Sequence, residues 1–187
     1  MVGFLTVAIG AVVVILVFMF AIIYNALVVL RNNINKAWGD IDVLLEKRHD
    51  MLGKLLDVVK GYMTYEQNLL TQVTALRTQW MGMQKNDVQG KIDNSNQMSQ
   101  ALKSIFATAE NYPDLKANAS FMQLQGAITD IENQLADRRE FYNDAVNSFN
   151  IRVQQVPYNV FASVLGYKTM PMYPVAEEEK QDVKMSF

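Results

Sequence analysis

Residues 34–62 read INKAWGDIDVLLEKRHDMLGKLLDVVKGY. Ile34, Trp38, Ile41, Leu45, Arg48, Leu52, Leu55, Val59 and Tyr62 recur at alternating spacings of four and three without a slip. That alternation is the heptad seam of a helix packed along its whole length against others. Proline is absent from residues 1–112 and again from 114–156, so nothing in either stretch removes a backbone donor or clashes with the preceding turn. The single irregularity is Arg48, a charge in an otherwise apolar seam.

Upstream of this stretch the pattern changes from a stripe to a continuous apolar surface. Met1–Leu30 carries no charged side chain, and residues 4–24 read FLTVAIGAVVVILVFMFAIIY. At about 1.5 Å per residue these 21 residues extend about 31 Å, the thickness of a bilayer's hydrocarbon core. Thr6 is the only polar interruption, and its hydroxyl can bond back to a helix carbonyl. A cleaved signal peptide would want a basic start, a shorter apolar run and a small-residue cleavage site; this stretch has none of the three. The expectation is a transmembrane anchor over residues 1–25 that continues into the first helix of the body. Arg31, Lys36, Lys47 and Arg48 follow the span and no basic residue precedes it. The positive-inside rule then puts the N-terminus outside and the body in the cytoplasm, at the cell (inner) membrane.

Downstream, three more periodic stretches follow. Thr64 and Gln67 form a T-x-x-Q pattern of the capping-box type, predicting the start of a second helix with Leu69, Val73, Leu76, Trp80 and Met83 in its seam. Residues 84–96 are polar and read as a connection. A third helix carries Met98, Leu102, Ile105, Ala109 and Tyr112, and Pro113 is expected to end it. Ser120 and Gln123 repeat the capping pattern, and a fourth helix runs to about Val156, before Pro157. Phe121, Ile128, Leu135, Tyr142, Phe149 and Val156 recur every seven residues along it. Its companion register is Gln125, Glu132, Arg139, Val146 and Val153, polar at three successive positions. The fold class is therefore all-α, with the anchor running into an antiparallel four-helix bundle over residues 26–156.

If the first and fourth helices are antiparallel with Tyr62 opposite Ser120, Arg48 lies level with position 134, within one turn of Glu132. An Arg48–Glu132 pair in the bundle core is expected, setting register rather than adding net stability. After the fourth helix, residues 158–175 read YNVFASVLGYKTMPMYPV, with Lys168 the only charge. Asn159–Leu165 can form a short amphipathic helix with Val160, Phe161, Val164 and Leu165 on one side. It could lie in the lipid interface, cap the bundle, or pack on a neighbouring subunit. Residues 157–187 form the third region, and from Glu177–Glu179 to Phe187 the chain reads as a solvated tail.

Composition removes whole classes of chemistry. The absence of Cys excludes disulfides, thiolate metal sites and a catalytic thiol. The lone histidine, His49, lacks the partners that catalysis or zinc binding requires. Glu132 has no Glu-x-x-His companion of the di-iron bundle type, and neither a phosphate-binding loop nor a G-x-S-x-G elbow occurs. A formal charge of −2 offers no basic footprint for nucleic acid. Catalytic, cofactor-binding and metal sites are accordingly expected to be absent. The 11 methionines suit core and interface filling.

Several clusters carry a more specific likeness. They are Tyr24-Asn25, Leu27-Val28, Leu30-Arg31, Ala37-Trp38, Ile41-Asp42-Val43, Arg48-His49-Asp50, Val59-Lys60-Gly61-Tyr62 and Val73-Thr74-Ala75 with Arg77. The most specific is Tyr112-Pro113-Asp114-Leu115-Lys116-Ala117-Asn118, followed by Phe121, Leu124-Gln125, Glu132, Arg139, Phe141-Tyr142-Asn143, Val146, Asn150 and Gly166-Tyr167. From about residue 24 onward the chain resembles the LemA family. The resemblance implies a single-pass anchor with a largely helical cytoplasmic body and no established enzymatic activity. The chain departs from the family pattern at Gly53 and Lys54, where Pro and Asn are frequent, and at Tyr65, where many members have His.

The expected function is that of a non-enzymatic scaffold that self-associates at the membrane surface and organises or shapes the membrane. The expected partners are lipid and further copies of the chain, with packing near that layer through Trp38, Phe161, Val164 and Tyr167. The alternative is a monomeric membrane-tethered adaptor that binds another protein in a stress or signalling response.

Overall fold

The computed structural model describes residues 2–84 and 86–174. The expected solvated tail lies outside the described residues. Among those described, all regular structure is helical, with no strand: α1 (Val2–Val59), α2 (Gln67–Gly82), α3 (Val88–Ala109), α4 (Pro113–Lys116), α5 (Ala119–Gln154) and α6 (Tyr158–Val164). The fold divides into two compact units. The first is Met1–Gly39 with Glu140–Met172, and the second is Asp40–Arg139 with Tyr173–Phe187. α1 and α5 each contribute to both.

In the first unit, α1 changes environment at Ile23. Its N-terminal turns expose nearly every apolar side chain, whereas Ile23, Leu27 and Ile34 are buried. Among the described residues, the exposed part is the one helix segment long and apolar enough to cross a membrane. The buried part shares a core with Tyr142, Val146 and Phe149 of α5 and Ala162 of α6. Aromatic contacts reinforce it: Trp38 meets the edge of Tyr142, and Tyr167 meets the edge of Phe149. Beyond α6, Asn150 holds the chain by a reciprocal pair, accepting from the Met170 backbone N–H and donating to its carbonyl.

In the second unit, α1, α2, α3, α4 and α5 all contribute to one core, α4 through Leu115. α1 supplies Leu52, Leu55, Leu56 and Val59; α2 supplies Val73 and Leu76; α3 supplies Met98, Leu102 and Ile105; α5 supplies Phe121 and Ile128. Burying side chains of this size stabilises the fold by about 1.5–3 kcal/mol each, which is why the seam spacing dominates over local propensity.

The helix boundaries differ from those expected at five places. α2 begins at Gln67, not at a cap on Thr64, and its Glu66 N-cap makes no side-chain cap bond. The intervening turn serves instead to bury Met63 in the core. α3 begins at Val88, inside the stretch expected to be a connection, with the Asp87 side chain accepting from the Gly90 N–H. Lys91, Asn94 and Ser95 look like loop residues, yet they are buried because each finds a polar partner. Pro113 does not terminate α3, which stops at Ala109; it opens the single turn α4, which buries Leu115. α5 is capped by Asn118 and not by Ser120: Asn118 Oδ1 accepts from the backbone N–H groups of Ser120 and Phe121. α5 ends at Gln154, which leaves Val156 outside the seam and exposed.

The capping assignment gives a direct expectation. Asn118→Ala should lower unfolding free energy by about 1 kcal/mol, measured by denaturant titration of the intact chain in mild detergent. Thr64→Ala and Ser120→Ala should each stay within about 0.5 kcal/mol of the parent.

Candidate functional site

The most concentrated chemistry in the structure is a polar cluster in the second unit, built around Arg48. Its side chain is 3% exposed, so the seam position on α1 takes the guanidinium almost entirely out of bulk water. Nη1 donates to Glu132 Oε1 at 2.6 Å and to Ser99 Oγ at 2.9 Å. Nη2 donates to Ser95 Oγ at 2.8 Å and to the Ser95 carbonyl at 3.2 Å. The Ser99 hydroxyl in turn donates to Glu132 Oε2 at 3.0 Å. Three helices therefore meet on one guanidinium, α1 providing it, α3 the serines and α5 the carboxylate.

Ser95 extends the network. Its Oγ accepts from the Tyr173 hydroxyl at 2.9 Å and faces Arg139 Nη2 at 3.4 Å. Arg139 lies over the Tyr173 ring, 4.6 Å from its centroid, a cation–π arrangement. Tyr173 is buried, so the hydroxyl needs the partner that Ser95 supplies. A second ion pair joins α3 to α1, where buried Lys91 Nζ donates to half-buried Asp42 at 2.5 Å and sits over the Trp80 ring. His49 stacks on the same Trp80 ring, with centroids 6.2 Å apart.

This arrangement holds helices together and leaves little room for a ligand. The cavity beside it, lined by Leu45, Arg48, His49, Leu52, Trp80, Asn94 and Met98, has a volume of about 10 Å³, the scale of a single water. Larger concavities are open grooves along α2, one of about 580 Å³ bordered by Lys60, Thr71, Thr74 and Thr78. Among the described residues, no group of three or more His, Asp or Glu side chains is placed to hold a metal ion.

Of the residues singled out in the sequence, Arg48 and Glu132 are brought together. Trp38, Phe161 and Tyr167 turn onto rings of their own chain: Tyr142, Phe20 and Phe149, respectively. Val164 is 79% exposed. Ser95, Ser99 and Tyr173 carried no sequence signal, although Arg139 did, as a charge in the polar register of α5.

The LemA family profile matches residues 37–187. The chain belongs to the LemA family. It is 25% identical to Protein LemA of Metamycoplasma hominis over 156 residues, covering 83% of this chain and 71% of that one. It is 20% identical to Magnetosome protein MamQ 2 of Paramagnetospirillum magneticum over 169 residues, covering 78% of this chain but 62% of the relative. Magnetosome protein MamQ of Magnetospirillum gryphiswaldense is 17% identical over 174 residues, with 64% of its length covered. This LemA-family chain thus spans somewhat under two thirds of the MamQ proteins' length.

Two measurements probe the site and the first unit. Arg48→Met should destabilise by about 3–5 kcal/mol because it strands Glu132, whereas Arg48→Met combined with Glu132→Leu should recover most of the loss in the same denaturant titration. Burial pushes the Tyr142 phenol above its ordinary value of about 10. The folded chain then holds this proton more tightly than the unfolded chain, so the contribution is complete below about pH 10 and is lost as pH rises through the folded value. Tyr142→Phe should therefore reduce the fall in melting temperature above pH 10 relative to the parent.

Proposed function

We propose that this LemA-family protein is a non-enzymatic, membrane-anchored helical scaffold. In this reading α1 crosses the membrane with its N-terminus outside, and α2, α3, α5 and the C-terminal half of α1 form an antiparallel four-helix bundle in the cytoplasm. The observation that carries it is the single unbroken helix Val2–Val59, whose apolar first half is exposed and whose second half is a buried seam. Such a helix carries the chain from the bilayer into its helical body without a break in secondary structure. The buried Arg48 cluster supports the same reading, since it spends its polar groups on holding three helices in register.

Scaffolding here means association between copies. The exposed length of the span gives copies a route to pack laterally, and the assembled anchors then organise the surrounding membrane. The alternative is a monomeric tether that binds another protein. Mass measurement of the intact chain in mild detergent, by size exclusion with light scattering, separates the two. The expected result is a multiple of the 21.2 kDa chain. A monomer at every concentration would remove the self-association reading and leave the adaptor.

A further inference from the structure

α6 lies within the first unit, and its position relative to the span is defined by one contact. Phe161 of α6 packs on Phe20 of α1, with ring centroids 5.8 Å apart and planes tilted by 57°. Phe20 also stacks on Tyr24, one turn along α1. The apolar run that matches the bilayer ends at Tyr24, so Phe20 lies about 6 Å inside its body-side end. Whatever packs on Phe20 is held at the depth where hydrocarbon gives way to headgroups.

The outward side of α6 has the chemistry of that layer. Ala162 and Phe161 face the unit, the former buried. Val160 and Val164, one turn apart, point away and are 61% and 79% exposed. Val156, in the turn before the helix, is 80% exposed. Three bare valines on an aqueous surface would forfeit transfer free energy that a lipid contact recovers. Lys168 is the only charged residue between positions 158 and 175, and it is exposed. It stands where a long cationic stem reaches lipid phosphates while its carbons remain in the interface. Tyr24, 43% exposed at the same end of the span, adds an aromatic of the kind enriched at membrane surfaces.

We propose that α6 is an interfacial membrane helix, with Val156, Val160 and Val164 inserted into the lipid beside the body-side end of the span. The inference rests on the reading of α1 as a membrane anchor. It assigns a second, non-spanning contact with the bilayer, so that the first unit is held at two points instead of one. The occupant of the valine surface is lipid because continuity with the span through Phe20 fixes its depth, and no headgroup chemistry is specified beyond an anionic phosphate for Lys168.

The chain has no Cys, so single substitutions provide unique labelling sites. Val160→Cys and Val164→Cys carry a nitroxide spin label in the full chain, reconstituted in phosphatidylcholine–phosphatidylglycerol vesicles. Val13→Cys in the span and Met81→Cys, exposed on α2, serve as references. The readout is accessibility to oxygen against a water-soluble nickel complex. The expected result is a severalfold loss of nickel accessibility at Val160 and Val164 relative to Met81, approaching the value at Val13. Nickel accessibility equal to that at Met81, with Val13 protected, overturns the inference and leaves the anchor intact. If Val13 is as accessible as Met81, the anchor reading itself fails. Protection accompanied by spin–spin broadening that vanishes on dilution with unlabelled protein assigns the valines to a second copy, and also overturns the lipid contact.

Discussion

A guanidinium without water must be satisfied by its neighbours, and Arg48 is satisfied by α3 and α5 together. Sliding any of these helices by one turn would move Ser95, Ser99 or Glu132 by about 5.4 Å, far beyond hydrogen-bond reach. An apolar seam alone tolerates such slips more readily, since leucine meets leucine again every heptad. One charge thus converts a repetitive interface into one with a single low-energy register. The cost is the desolvation of both ions, which is why such a cluster specifies more than it stabilises.

The Ser95 hydroxyl carries the constraint further. It sits on α3, yet it accepts from the side chains of α1 and of Tyr173, near the end of the described chain. Residues distant in sequence therefore depend on one small polar side chain. Ser is well suited to this: one lone-pair-bearing oxygen with little volume lets two large donors approach the same point.

Much of the second unit's core could be read from spacing. Ile41, Leu45, Leu52, Leu55 and Val59 on α1 and Phe121, Ile128 and Leu135 on α5 obey the heptad register and are buried. The level of Arg48 and Glu132 followed from the same counting. What spacing could not show was the N-terminal half of α3. Its buried residues include Lys91, Asn94 and Ser95, whose burial depends on Asp42, the Leu76 carbonyl and Arg48. A pattern that scores hydrophobicity is blind to polar groups that are paid for by partners elsewhere in the chain. The caps were misplaced for a related reason. Ser, Thr and Asn all suit a helix start, and at residues 118–120 it is the backbone path after α4 that decides between Asn118 and Ser120. Tyr173 lies in an irregular segment, where no periodicity exists to read.

The unbroken course of α1 has a mechanical meaning. Helical hydrogen bonds run from Val2 to Val59 without a proline or a loop, so the exposed apolar turns and the first buried turns from Ile23 to Ile34 belong to one continuous helix. Under the proposed anchoring, a thinner or thicker bilayer is accommodated by tilting this span, and the side chains of the same unit packed on it, Phe161 and Tyr142, tilt with it. In that reading the first unit turns a difference in membrane thickness into an angle.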